Sequence, residues 1–242
     1  MEIDVYPPPG MDTDTNSLPA VIIVSGYPDD GFRKHTGSSF REMESTVSWA
    51  RRFAASGMVG VTYSTNDPAA GIHEVLHELR GRRVGIWASS GNVPVALSAL
   101  MQDAPEPVAC AVLCYGYMLD VAEAAATFRF ANPTAGRSID DLRSDVPMFL
   151  ARAGQDQFPG LNEALDRFVA GALNRNLPLT LINHPEGPHA FDLSHDSETT
   201  REIIRRILEF LQFHLGLSQP SPRLRGEGPK ADEGQSIRTN VR

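Results

Sequence analysis

Cysteine is almost missing from this chain of 242 residues, which holds only Cys110 and Cys114. Both lie in one apolar run, Val108 to Tyr115, where strand geometry puts them on one face about 13 Å apart, too far to bridge. A disulfide scaffold is excluded, and the two read as reduced core residues. Long hydrophobic runs are missing too: no window approaches the roughly 18 apolar residues of a spanning helix. The amino end, Met-Glu-Ile-Asp-Val-Tyr, has neither the basic nor the apolar region of a secretory signal, so the expected location is the cytoplasm. Basic charge is scarce. With 22 Lys and Arg against 30 Asp and Glu, the formal charge is -8 and no basic stripe forms. Nucleic acid and membrane surfaces are therefore not expected partners.

What is present is an ordinary soluble composition, 41% hydrophobic and 21% charged, in a chain long enough to bury a large core. The composition changes near Leu217. Ser218 to Arg242 is rich in Ser, Pro, Gly, Arg and Glu with only isolated apolar residues, so residues 217–242 are expected to be a disordered tail outside a catalytic domain of residues 1–216. Within that domain, Ala20 to Val24, Met58 to Tyr63, Arg83 to Trp87, Val108 to Tyr115, Val146 to Ala151 and Leu179 to Ile182 are continuous apolar runs. They predict strands buried on both faces of a parallel sheet. Helical periodicity runs between them, over Glu42 to Ser56, Pro68 to Leu79, Asn92 to Met101, Leu161 to Asn174 and Ser197 to Leu215. Asp67 before Pro68 is an N-cap signal, and Gly57 and Gly81 mark stops. About six strands with helices between them give an α/β fold with helices on both faces. Residues 116–145 are too long for a simple crossover and are expected to form a cap insertion.

Strand Arg83-Val84-Gly85-Ile86-Trp87 runs directly into Ala88-Ser89-Ser90-Gly91-Asn92 and then into a helix. Such a turn lifts a side chain above the carboxyl edge of the sheet, and the new helix directs free N–H groups at it. A serine there suits acyl transfer if a base and an orienter for that base stand nearby. Asp156 follows the strand ending at Ala151, and His189 lies in the segment after the strand ending at Ile182. Ser, Asp, His is the chain order in which an open α/β sheet builds a triad. The bend Ser25-Gly26-Tyr27 after the first central strand can present the Tyr27 N–H beside that of Gly91 as an oxyanion hole.

On these segments the chain resembles the α/β-hydrolase superfamily over about Ala20 to Leu215, nearest in layout to the dienelactone hydrolase-like branch. The Gly187-Pro188-His189-Ala190-Phe191 loop is similar to the Gly-x-His-x-Phe ending of that branch. The resemblance implies an α/β-hydrolase fold with an open, mostly parallel sheet, and cleavage of an ester or lactone through an acyl-enzyme. It implies a small-molecule acyl substrate and no metal or organic cofactor. Two departures stand out. With Ser90 as nucleophile, Ala88 and Asn92 occupy the glycine positions of Gly-x-Ser-x-Gly. With Ser89, the bulky Trp87 would take the first of them, so steric logic favours Ser90. The antiparallel edge strands common in this fold are expected to be largely missing, and an open edge there would favour a homodimer.

Competing readings remain. Ser90 and Asp156 are also ordinary turn and cap residues, and His184 and His195 rival His189, although a longer loop reaches back to a serine better. Residues Arg129, Arg137 and Arg143 of the expected cap could hold a substrate carboxylate, while Tyr117, Met118, Phe128 and Phe130 would give the pocket an apolar wall. His73-Glu74-Val75-Leu76-His77 matches the zinc-protease pattern H-E-x-x-H. The apolar stripe of that helix is Ile72, Val75, Leu76 and Leu79, which turns both histidines toward water, and no third ligand follows at the required spacing. An inactive hydrolase-fold binding protein is the other alternative.

Overall fold

Apolar runs without alternation have to be covered on both faces, and the chain meets this demand with one sheet between two helical layers. The structure is a computed structural model that describes residues 1–11, 15, 17–119 and 130–217. Seven strands form the sheet: β1 Glu2–Tyr6, β2 Ala20–Ile23, β3 Val59–Ser64, β4 Val84–Ser89, β5 Cys110–Cys114, β6 Met148–Gln155 and β7 Leu179–Pro188. Their spatial order is β1-β3-β2-β4-β5-β6-β7, with β1 antiparallel to β3 and every other pairing parallel. Among the described residues the α-helices are α1 Asp29–Thr36, α2 Glu44–Ala55, α3 Pro68–Glu78, α4 Val93–Ser98, α5 Leu161–Asn174, α6 Phe191–Ser194 and α7 Glu198–His214.

Alternate residues of each strand serve opposite faces. Ile22, Ile86, Leu113 and Leu150 pack with Ile72 of α3, Val95 of α4 and Leu165 of α5. Val21, Ile23, Trp87, Val112 and Phe149 pack with Trp49 and Phe53 of α2 and with Ile203, Ile207 and Leu211 of α7. Cys110 and Cys114 are buried, unpaired and on that same second face. The Asp67 side chain caps α3, accepting from the Ala70 N–H at 3.1 Å with Pro68 in the first turn.

The structure corrects the sequence reading in three places. The amino-terminal edge is occupied, because Glu2–Tyr6 pairs with β3 over five residues. Its residues are only partly covered, so they carry no apolar run to announce a strand. Second, β7 runs to Pro188 rather than stopping at Ile182, and β6 runs to Gln155, with a register irregularity between Ala153 and Gln155. As an edge strand, β7 tolerates the polar Asn183-His184-Pro185-Glu186, which reads in sequence as loop. Third, Leu217 packs partly against the second face instead of starting the tail. Residues 218–242 lie outside the described residues, as does the middle of the expected cap, 120–129.

Because β3 lies on one side of β2 and β4 on the other, the chain reverses its direction of travel between β2 and β4. The carboxyl ends of these strands therefore bound a crevice, the place where open α/β sheets bind ligands.

Candidate active site

Strand β4 delivers Ser90 into that crevice. Its φ is 53°, a left-handed conformation that non-glycine residues adopt at roughly 1–3 kcal/mol and keep only where the surroundings enforce it. The turn continues through one 3-10 turn, Ser90–Asn92, into α4. Close packing explains the small residue after the serine: a Cβ on Gly91 would lie 2.6 Å from the Phe130 ring.

The longer β6 and β7 carry the other two residues to the same point. Asp156 directly follows β6, His189 directly follows β7, and their side chains are 1% and 10% exposed. His189 Nδ1 lies 2.7 Å from Asp156 Oδ2, and Nε2 lies 2.8 Å from Ser90 Oγ. An ionised carboxylate only accepts, so Nδ1 carries the proton and Nε2 is left to accept from the serine hydroxyl. Asp156 Oδ1 accepts from the Phe158 N–H at 2.9 Å, which fixes the carboxylate. The imidazole stands edge-on between two rings, with Phe158 4.5 Å and Tyr115 5.0 Å from it, centre to centre.

The rivals lie elsewhere. Ser89 lines the cavity, yet the bond to His189 is made by Ser90. His184 sits inside β7, 1% exposed, with Nε2 3.0 Å from Thr200 Oγ1 and Nδ1 without a partner among the described residues. Burial, helped by His195, holds its pKa below the usual value, as suits a neutral core histidine. In the H-E-x-x-H segment His77 is exposed. His73 is not wholly turned to water, since its Nδ1 bonds Glu106 at 3.1 Å. Among the described residues, no group of three or more His, Cys, Asp or Glu is placed to hold a metal ion.

Asn92, the larger departure from the glycine pattern, has a structural job. Its Oδ1 accepts from the Gly26 N–H at 2.8 Å, tying the elbow to the bend after β2. The fit requires glycine at 26, where a Cβ would lie 2.8 Å from Asn92 Cα. The Gly26 carbonyl in turn accepts from Ala131 at 2.8 Å. The next amide, that of Tyr27, and the amide of Gly91 have no acceptor among the described residues.

A cavity of about 230 Å³ opens beside Ser90. Phe32, Phe40, Met43, Trp49, Tyr115 and Phe130 give it an aromatic and apolar wall. Of the four apolar residues expected from the cap segment, Phe130 lines it, and Phe128 lies outside the described residues. Tyr117 instead donates its N–H to the Ser90 carbonyl at 3.4 Å, and Met118 belongs to the core. Arg137 pairs with Asp103 and Arg143 with Asp145, away from this cavity, and Arg129 is outside the described residues. Sequence reasoning passed over Trp49 and Asp192. No local signal marks them, because their contacts span 143 positions.

No family model and no curated protein matches this chain by sequence. Solved structures do match. An α/β hydrolase enzyme, MGS-M1, from a Medee basin deep-sea metagenome library superposes with a TM-score of 0.66 at 16% identity, covering 89% of this chain and 93% of its own. A thermophilic esterase of the Planctomycetes species Thermogutta terrifontis gives 0.64 at 17% identity without ligand, covering 90% and 91%. Its propionate-bound form gives 0.62 at 16%, covering 90% of each chain. The sheet order, the strand-turn-helix at Ser90 and these superpositions define an α/β-hydrolase fold. Among the described residues no helix is long and apolar enough to cross a membrane.

Proposed function

We propose that this chain is a serine hydrolase that cleaves small, uncharged carboxylic esters through an acyl-enzyme. One observation carries the reading: Ser90, held at a left-handed turn, is hydrogen-bonded through His189 to Asp156. In this mechanism Ser90 Oγ attacks the acyl carbon while His189 Nε2 takes its proton. Asp156 keeps the proton on Nδ1 and supports the imidazolium. The N–H groups of Tyr27 and Gly91 stabilise the tetrahedral oxyanion. His189 then protonates the departing alcohol. Water, deprotonated by the same nitrogen, splits the acyl-enzyme to free acid and serine.

The Gly187-Pro188-His189-Ala190-Phe191 segment, from the end of β7 to the start of α6, supports kinship with the dienelactone hydrolase-like branch. The cavity argues against that branch's anionic lactone acids, since among the described residues Arg137 and Arg143 are engaged by aspartates elsewhere. The Thermogutta terrifontis esterase, solved with propionate and with butyrate and also phosphorylated by paraoxon, is a precedent for short acyl groups on this fold.

A fluorophosphonate probe tests the reading. The wild type should be labelled at Ser90 and turn over p-nitrophenyl acetate or butyrate, and Ser90→Ala should lose labelling and several orders of magnitude in kcat. An unlabelled, inactive wild type would leave the chain an inactive binding protein on this fold.

A further inference from the structure

Behind the cavity wall lies a polar cluster that the proposed reaction does not use. Asp192 belongs to α6, three residues beyond His189. Its Oδ2 accepts from Trp49 Nε1 at 2.7 Å and its Oδ1 from the Tyr115 hydroxyl at 2.5 Å. Both rings line the cavity beside Ser90, whereas Asp192 does not. Trp49 comes from α2, Tyr115 from the end of β5, and Asp192 from the segment after His189, so one carboxylate ties three elements together.

The two bonds have a chemical consequence. The indole N–H and the phenol O–H are the polar atoms of these rings, and both are consumed behind the wall. These two rings are left with carbon surface to offer the cavity, suited to hydrocarbon rather than to a charged or strongly polar group. Further packing locks the arrangement: Trp49 lies 4.8 Å from Trp87, and Tyr115 lies 5.5 Å from Phe191, centre to centre. Tyr115 also has φ of 35°, a left-handed conformation that an aromatic residue keeps only when its surroundings hold it. Burial raises the Asp192 carboxyl above the usual range, so the group is costly to place and its two donors offset that cost.

We infer that Asp192 is a positioning residue that fixes Trp49 and Tyr115 as an apolar acyl-binding wall and so makes the site select neutral acyl chains longer than acetyl. The inference rests on the serine-esterase reading and adds the determinant of its substrate class. At about 30 Å³ for each water-sized group, the cavity of about 230 Å³ has room for roughly seven to eight such groups, enough for a short chain and the start of a leaving group.

The test compares kcat and KM for p-nitrophenyl acetate, butyrate and hexanoate in the wild type, Tyr115→Phe, Trp49→Phe and Asp192→Ala, with fluorophosphonate labelling of Ser90 alongside. The expected result is that the butyrate-to-acetate ratio of kcat/KM falls at least threefold in each variant. The loss should lie mainly in KM for the longer esters while Ser90 still labels. Asp192→Asn, whose amide can accept from Trp49 and donate to the Tyr115 oxygen, should recover at least half of the ratio lost in Asp192→Ala. Unchanged ratios in folded, labelled Tyr115→Phe and Trp49→Phe overturn the inference and leave the esterase reading standing, even if Asp192→Ala does not fold. A wild type that neither labels nor cleaves any of the esters overturns both.

Discussion

Replacing Asn92 with glycine would restore the Gly residue that stands two positions after the nucleophile in the usual elbow pattern, and in this chain it should do harm. Asn92 Oδ1 is the acceptor for the Gly26 N–H at 2.8 Å, and both groups are buried. Without it, a buried N–H loses its partner, at about 1–3 kcal/mol. Asn92 also has ordinary helical backbone angles, φ -80° and ψ -15°, where glycine adds roughly 0.5–1 kcal/mol of lost chain entropy. A total loss of about 2–4 kcal/mol should lower Tm by roughly 4–16 °C in a chain of this size. The catalytic effect has a separate origin. The freed bend carries the Tyr27 N–H, and loss of one oxyanion donor lowers kcat by about 10²–10³. Displacement rather than removal of that donor should therefore cost on the order of tenfold or more, in kcat rather than KM. Differential scanning calorimetry and p-nitrophenyl butyrate kinetics read the two effects independently. An Asn92→Gly protein that matches the wild type in Tm and kcat would refute the clamp.

Leu211→Ala, at a fully buried position where α7 meets the sheet, should destabilise the fold by about 2–5 kcal/mol and lower Tm without changing KM for esters of the remaining folded protein. The depressed pKa of His184 means that the folded state favours the neutral ring, so stability should be lost as pH falls below about 6.5, the value of free histidine, toward the lower folded pKa. Tm measured from pH 8 to pH 5 should drop more steeply for the wild type than for His184→Gln, and parallel curves would remove His184 as the cause. Ester hydrolysis should survive prolonged chelator treatment, because the proposed reaction runs through Ser90 without a metal, and activity that vanished and returned with zinc would reopen the reading of His73 and His77.

The sequence by itself determined the layered α/β plan, because β2, β3 and β5 are fully buried, β4 is buried up to Ser89 and β6 over Met148 to Ala151, and an apolar run records burial on both faces without further information. It also placed Ser90, Asp156 and His189 after successive strands in that chain order, and so brought them forward as a set, although β6 and β7 run further than the apolar runs show. Strand β1 and the outer half of β7 were illegible for the complementary reason, since edge strands keep polar and half-exposed residues and hydrogen-bond to a neighbour that local pattern does not name. Only the tertiary structure shows that Ser90 rather than Ser89, and His189 rather than His184, share the hydrogen bond. Those choices depend on the left-handed φ at Ser90 and on β7 carrying His184 into the core before releasing His189 at its end. The Asn92 to Gly26 clamp and the Asp192 bonds to Trp49 and Tyr115 join residues 66, 143 and 77 positions apart. Such contacts follow from the order in which strands lie side by side, and periodicity along the chain carries no record of that order.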